Sequence, residues 1–349
     1  MQSRVTIGDV AAKAGVSKVT VSYVLNGRGA DARIKPATVE RVSAIAKELG
    51  YQRNAVAAML KRKRSYAVAV AFQYADLFGG GSDFTNEVMR GVCEAAQQHD
   101  YDLMLHTRVV DSPEEEVGAF ADGRVDGVLI LRDGDHPTLR LLHASRVPCV
   151  SFFCAAGPAW VDADNQAGGA LAVSHLAELG HRRLLFLRGS EGSVASNERM
   201  LGAQAEAQRL GLPEPCAMAF VGEDWRTVLM DKNRPTGIVA WSDDAAAEIQ
   251  AFLTTKGIDC PGKVSLVGFD SLSLAERAGI TSVAQPVRQI ATEAFSLLID
   301  CIDERERCRT VRFPVRLDIR GTTGPAPAAS FPRTLKASLD APDLSKPRN

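Results

Sequence analysis

Lys18, Val19, Ser22 and Tyr23 crowd a short segment near the start of the chain, and each can read a nucleic-acid surface. Lysine donates to guanine acceptors or to phosphate, a valine methyl packs on a thymine methyl, and tyrosine stacks or donates its hydroxyl. A second candidate lies far downstream: Asp270 follows the apolar run 264–269 and so falls at the carboxyl end of a strand, where α/β folds bind ligands. Signatures of catalysis are missing from the sequence. It has no G-x-x-x-x-G-K-[ST], no G-x-G-x-x-G after a strand, no G-x-S-x-G and no H-E-x-x-H. Gly189-Ser190-Glu191-Gly192-Ser193 is only a glycine-rich loop, and the six histidines are scattered. Neither an enzyme nor a metal or cofactor is expected.

The segment carrying Tyr23 needs a rigid frame, and the flanking residues spell one out. Thr6-Ile7-Gly8-Asp9 reads as a capping box that starts a helix with Val10, Ala11 and Ala14 on one face. Gly15 suits a left-handed turn, and Ser17 can cap a second helix whose inner face is Val21, Val24 and Leu25. Gly27 and Gly29 end it. A third helix starts near Pro36, carries Val39, Val42, Ala46 and Leu49, and stops at Gly50. Two short helices around a glycine turn and a third closing the core form a helix-turn-helix, which lays its second helix in the major groove.

Charge separates this segment from the rest. The first 65 residues hold 13 Lys/Arg against 4 Asp/Glu, a net of +9, whereas the remainder holds 28 basic and 38 acidic residues, a net of −10. A basic reader on an acidic body fits a polyanion-binding module attached to something that should avoid polyanions. No apolar run reaches the ~20 residues that span a bilayer. The first residues lack the apolar stretch of a secretory signal, so a cytoplasmic location is expected. The seven cysteines are odd in number, with no C-x-x-C pair, so a disulfide framework or structural zinc is not expected.

From Tyr66 onward, short apolar runs alternate with amphipathic stretches. Residues 68–72, 103–106, 125–131 and 147–153 read as buried parallel strands, with helices near 87–99 and 114–121 between them. The pattern recurs with strands at 184–187, 237–241 and 264–269 and helices at 166–179, 197–210 and 244–256. Two such series predict two doubly wound α/β lobes, with a ligand cleft between them.

The motifs Thr6-Ile7-Gly8-Asp9-Val10-Ala11, Ala14-Gly15-Val16-Ser17, Thr20-Val21-Ser22, Leu25-Asn26, Leu49-Gly50-Tyr51 and Asn54 resemble the DNA-binding headpiece of LacI-type regulators. The later stretches Val125-Asp126-Gly127-Val128-Leu129-Ile130, Leu179-Gly180-His181, Arg199-Met200-Leu201-Gly202, Val264-Ser265-Leu266-Val267-Gly268-Phe269-Asp270 and Arg320-Gly321-Thr322-Thr323 resemble that family's sensor core, similar to periplasmic sugar-binding proteins. The resemblance covers roughly residues 5 to 324. It implies a helix-turn-helix headpiece (1–52), a hinge helix and linker (53–65), a first lobe (66–163 with 286–314) and a second lobe (164–285 with 315–324). Residues 325–349, rich in Pro, Ser and Ala, are expected to be disordered, without the leucine heptads of a tetramerising coiled coil.

Carried onto this chain, the likeness implies DNA contacts from Thr6, Ser17, Lys18, Val19, Thr20, Ser22, Tyr23, Asn26, Thr38 and Asn54. It implies a minor-groove wedge from Ala57 and Leu60, which kinks the duplex at an unstacking cost offset by extra wrapped surface. Arg53 stands where many members have Pro, and the loop at Gly29 to Arg33 is longer than usual. Lys61 to Arg64 read equally as phosphate contacts or as a solvated linker. The likeness places an effector among Asp83, Phe84, Asn197, Arg199, Trp225, Asp243 and Asp270, with Asp244 capping its helix. The family's purine sensor has an arginine where this chain has Ser193, which favours a sugar or sugar derivative over a nucleobase. Expected partners are operator DNA, the effector and a second copy of the chain. The competing classes are a sugar-binding or sugar-processing protein without gene regulation, and a regulator that no longer senses a small molecule.

Overall fold

A computed structural model describes residues 5–52, 64–73, 82–222, 224–305 and 308–327. Asn54, Ala57 and Leu60, the Gly79–Gly81 run and the tail beyond Pro327 lie outside the described residues. The chain divides into two compact units, Met1–Ser65 and Tyr66–Asn349.

In the first unit the helices are α1 (Ile7–Ala14), α2 (Lys18–Leu25) and α3 (Pro36–Glu48). Both hydrogen bonds of the capping box form: Asp9 N donates to the Thr6 hydroxyl at 3.3 Å, and Thr6 N donates to the Asp9 carboxylate at 2.7 Å. Gly15 takes φ +64°, the left-handed conformation that lets its N–H reach back into α1. Ser17 caps α2 by accepting from Thr20 N at 3.1 Å. Val10, Ala11, Ala14, Val21, Val24, Val42 and Ala46 bury themselves together as a small core.

The second unit holds two six-stranded sheets. The first lobe contributes β1 (Ala67–Phe72), α4 (Asp83–Gln98), β2 (Asp102–His106), α5 (Pro113–Ala121), β3 (Gly127–Leu131), α6 (Pro137–Ala144), β4 (Cys149–Phe152) and β5 (Trp160–Ala163). The chain then enters the second lobe through α7 (Asn165–Glu178), β6 (Leu184–Arg188), α8 (Val194–Arg209), β7 (Cys216–Ala219), α9 (Trp225–Met230), β8 (Gly237–Ala240), α10 (Asp243–Thr255), β9 (Ser265–Asp270), α11 (Ser273–Ala278) and β10 (Thr281–Ala284). It returns to the first lobe as α12 (Val287–Ile302) and β11 (Thr310–Phe313), and ends in the second as β12 (Arg316–Asp318). The orders are β11-β5-β4-β3-β1-β2 and β12-β10-β9-β8-β6-β7. All pairings are parallel except β10 with β12. Helices cover both faces of each sheet, which is why the central strands are apolar on both sides.

Fully buried His181 ties the C-terminal segment to the second lobe, with Nδ1 3.0 Å from the Thr236 hydroxyl and Nε2 3.1 Å from the Gly324 carbonyl. Ala326 N still donates to the Leu179 carbonyl at 2.8 Å, so order continues past Pro325, where disorder was expected to begin. Among the described residues, no helix is long and apolar enough to cross a membrane.

One helix contact in the second lobe leaves no room for a side chain at either of two glycines. Helices α7 and α8 touch backbone to backbone, because a Cβ on Gly169 would collide with the Arg199 carbonyl and one on Gly202 with the Gln166 carbonyl. Gly202→Ala must push the helices apart, at a cost of about 1–3 kcal/mol. Denaturant unfolding should show a lower midpoint at unchanged slope. The control is Gly118→Ala in α5, where an added Cβ meets nothing within 4 Å. That change should be neutral or stabilising by up to about 1 kcal/mol. Equal losses in both variants would contradict the close-approach role.

Candidate functional site

Two surfaces gather the candidate residues, one in each unit. On α2, Lys18, Val19 and Tyr23 are exposed, with Val19 at 63% and Tyr23 at 38%. Several neighbours also hold the local fold. The Ser17 and Thr20 hydroxyls bond each other at 2.9 Å, and Asn26 Nδ2 donates to the Ser22 carbonyl at 2.6 Å. Thr6 is exposed at the N-cap of α1, and Thr38 is half-buried in the first turn of α3.

The other surface lies where the carboxyl ends of both sheets meet. Helices of the two lobes touch there: Leu274 N of α11 donates to Asp83 of α4 at 2.6 Å, Arg277 stands 3.5 Å from the same carboxylate, and the Ser82 hydroxyl donates to Asp244 of α10 at 3.2 Å. Asp83 therefore joins the two lobes. Arg199 projects from α8 into this region and is 6% exposed. Its Nε donates to Asn165 Oδ1 at 2.9 Å, its Nη1 donates to the Trp241 carbonyl, and its guanidinium lies 3.5 Å from the Phe269 ring centroid.

Around that cation stand more carboxylates than one arginine can neutralise. Burial pushes Asp270 up to about 8, with Arg199 pulling the other way and Asp243 adding to the rise. Burial likewise raises Asp162 to about 7 and Asp243 to about 6. Asp270 ends β9 at φ +112°, a strained backbone for a non-glycine residue, and accepts from Gln285 Nε2 at 2.6 Å. Ser271 N donates to Ser282 at 3.1 Å, and the Ser271 hydroxyl donates to Asp318 at 2.7 Å, which fixes that turn. Several buried polar atoms in this region have no hydrogen-bond partner among the described residues: Asp162 Oδ2, Arg188 Nε, Glu198 Oε2, Trp241 Nε1 and Gln285 Oε1. Native interiors leave few such atoms unmatched, so a cluster at strand ends is what a polar ligand would complete.

Not every expected residue stands here. Trp225 is fully buried in the second-lobe core, stacked on Phe220 at 5.5 Å and edge-on to Phe252 at 5.3 Å. Its Nε1 donates to the Phe220 carbonyl at 3.2 Å, so it is a packing residue with no open face. Asp243 stands in the cluster, and its oxygens also accept from the Ser282 hydroxyl at 2.6 Å and Leu272 N at 3.2 Å, bracing the turn after β9. Ser242, not Asp244, caps α10. Asn197 holds the Glu191 carbonyl at 2.9 Å and shapes the glycine-rich loop. Phe84 is half-buried, edge-on to Phe153 at 4.8 Å. Sequence reasoning passed over Asp162, Asn165, Arg188, Trp241 and Gln285. Their shared signal is position, at or just beyond the carboxyl end of a strand.

A carboxylate whose pKa rises on folding contributes stability that is complete below its unfolded value and lost as pH climbs through the folded one. The ligand-free protein should lose stability between about pH 4 and pH 8, the window bounded by the ordinary Asp value and the raised value of Asp270. Asp270→Asn, which can still accept from Gln285, should flatten that slope in denaturant titrations. An unchanged slope would remove Asp270 as its source.

Comparison with known proteins finds a match for each of the two units. Residues 6–54 match the family described as bacterial regulatory proteins, lacI family, and residues 173–323 match the periplasmic binding protein-like domain. The chain is 31% identical over 329 residues to the HTH-type transcriptional repressor PurR of Vibrio cholerae serotype O1, covering 88% of this chain and 94% of that one. It is 31% identical over 316 residues to the HTH-type transcriptional regulator CelR of Thermobifida fusca, covering 86% and 92%. A solved transcriptional regulator CelR–cellobiose complex matches with TM-score 0.67 at 28% identity, covering 91% of this chain and all of that one.

Proposed function

Because the chain belongs to the lacI family of bacterial regulatory proteins, we propose that it is a sequence-specific repressor whose operator affinity is set by a sugar or sugar derivative held between its two core lobes. The observation that carries the effector reading is the buried Arg199, flanked by raised-pKa carboxylates and unmatched polar atoms at the lobe junction. Sugar hydroxyls donate and accept at once, so they satisfy acceptors such as Asp162 Oδ2 and donors such as Trp241 Nε1 together. Support for a sugar also comes from the cellobiose-bound relative. Ser193, at the position of the purine sensor's arginine, caps α8 and supplies no charge.

The proposed mechanism uses two copies of the chain in the cytoplasm. A homodimer offers two headpieces to a near-palindromic operator, as two-fold symmetry requires. Lys18, Val19 and Tyr23 face bases and phosphates, while Asn54, Ala57 and Leu60 serve as the hinge and wedge. Effector binding changes the balance between lobe arrangements, and it shifts DNA affinity only by its differential affinity for them.

Fluorescence anisotropy on an operator fragment separates the DNA roles. Lys18→Ala should weaken binding across sequences and reduce the log–log salt slope by about 1, whereas Tyr23→Ala should cost about 1–3 kcal/mol mainly on the specific site. A Tyr23→Ala loss of equal size on random DNA would contradict base reading. For the effector, a sugar at one hundred times its Kd should stabilise the fold by about 2.7 kcal/mol in a thermal-shift series. Arg199→Ala should abolish that shift and the sugar's effect on operator binding, while operator binding itself persists. A normal response in Arg199→Ala would discard the cleft as the effector site.

A further inference from the structure

The first lobe contains a cavity of its own, of about 320 Å3, on the side of the sheet covered by α5 and α6. The loop from Thr107 to Ser112 walls it, and His106, Glu116, Arg132 and His136 line it. Glu116 is buried, and its oxygens accept from Arg132 Nη1 at 2.8 Å, Arg132 Nη2 at 2.5 Å and the Thr138 hydroxyl at 2.6 Å. His106 Nε2 stands 3.2 Å from the same carboxylate. The acid is therefore fully used.

The cavity offers nitrogen and hydroxyl groups, of which His106 Nε2 and Arg132 Nε are buried without a hydrogen-bond partner among the described residues. Arg132 Nε is buried without an acceptor among the described residues, on a side chain only 9% exposed. A buried N–H left unsatisfied carries its full desolvation penalty, which a sealed structural ion pair would have no reason to bear. His136 Nδ1 accepts from Thr138 N at 3.3 Å, so its neutral ring carries a proton on Nε2. Burial holds the pKa of both His106 and His136 below the ordinary value. The Thr107 hydroxyl and exposed Arg108 add further donors. The N-terminal ends of α5 and α6 bring partial positive charge to the same side. Against these, Asp111 is the one carboxylate of the lining left after Glu116 is neutralised.

We propose that this cavity binds the oxyanion of a small metabolite, a carboxylate or a phosphate ester, as a second ligand site independent of the Arg199–Asp270 cluster. Such an anion would accept from Arg132 Nε and His136 Nε2 together, charge-assisted by the guanidinium.

Isothermal titration of the full-length protein in chloride buffer at fixed ionic strength tests this, with inorganic phosphate, gluconate, glucose 6-phosphate and glucose as probes. At least one anion should bind, and Arg132→Gln should weaken it tenfold or more, while Arg199→Ala leaves it unchanged. Binding by phosphate alone assigns the site to the free anion; binding only by glucose 6-phosphate or gluconate assigns it to a larger metabolite. If Arg132→Gln melts early, the double variant Arg108→Ala, His136→Ala carries the test and should lose several-fold in affinity. No heat from any anion would overturn the proposal. So would anion binding that Arg199→Ala abolishes and Arg132→Gln spares, since that would place the anion in the effector cleft.

Discussion

A single buried guanidinium governs the sensor core. Arg199 is removed from water, and an unpaired buried charge is among the most expensive things a fold can contain. Its environment answers with an amide oxygen from Asn165, the Trp241 carbonyl, the face of Phe269 and the nearby carboxylate of Asp270. Burial drives Asp162, Asp243 and Asp270 upward in pKa, and Asp243 adds to the rise at Asp270. The lobe junction thus holds buried polar atoms without a hydrogen-bond partner among the described residues. The approach of α7 to α8 at Gly169 and Gly202 places both Asn165 and Arg199 within reach of that junction.

The same junction is where the lobes grip each other. Asp83 at the start of α4 accepts from Leu274 N, and Ser82 reaches Asp244. Three separate passages of the chain link the lobes, after β5, after β10 and between β11 and β12. The headpiece has a separate logic. It is small, basic and held by capping bonds and a core of valines and alanines.

Much of this was legible before any coordinates, because it rests on local rules. The capping box at Thr6, the turn at Gly15, the cap at Ser17 and the long apolar strands each follow from residues a few positions apart. The misreadings have a common cause in tertiary packing. Trp225 and Trp241 are both tryptophans near the end of a strand or the start of a helix; only the packing of Phe220 and Phe252 shows that Trp225 is enclosed and Trp241 leaves an unmatched N–H. Asp243 and Asp244 are adjacent acids, and a one-residue rotation of α10 decides which is buried against Ser282. Short strands such as β5, β7, β11 and β12 are too brief or too exposed for periodicity to find, so Asp162 at the end of β5 went unread.

The central claim is that a DNA reader and a polar-ligand sensor share this chain. Selection of bound duplexes from a random library by the full-length protein, with and without a panel of sugars, tests it most directly. The account predicts enrichment of a near-palindrome whose half-sites lie about one helical turn, ~10 base pairs, apart, with recovery changed by at least one sugar. Recovery of random sequences under every condition would contradict it.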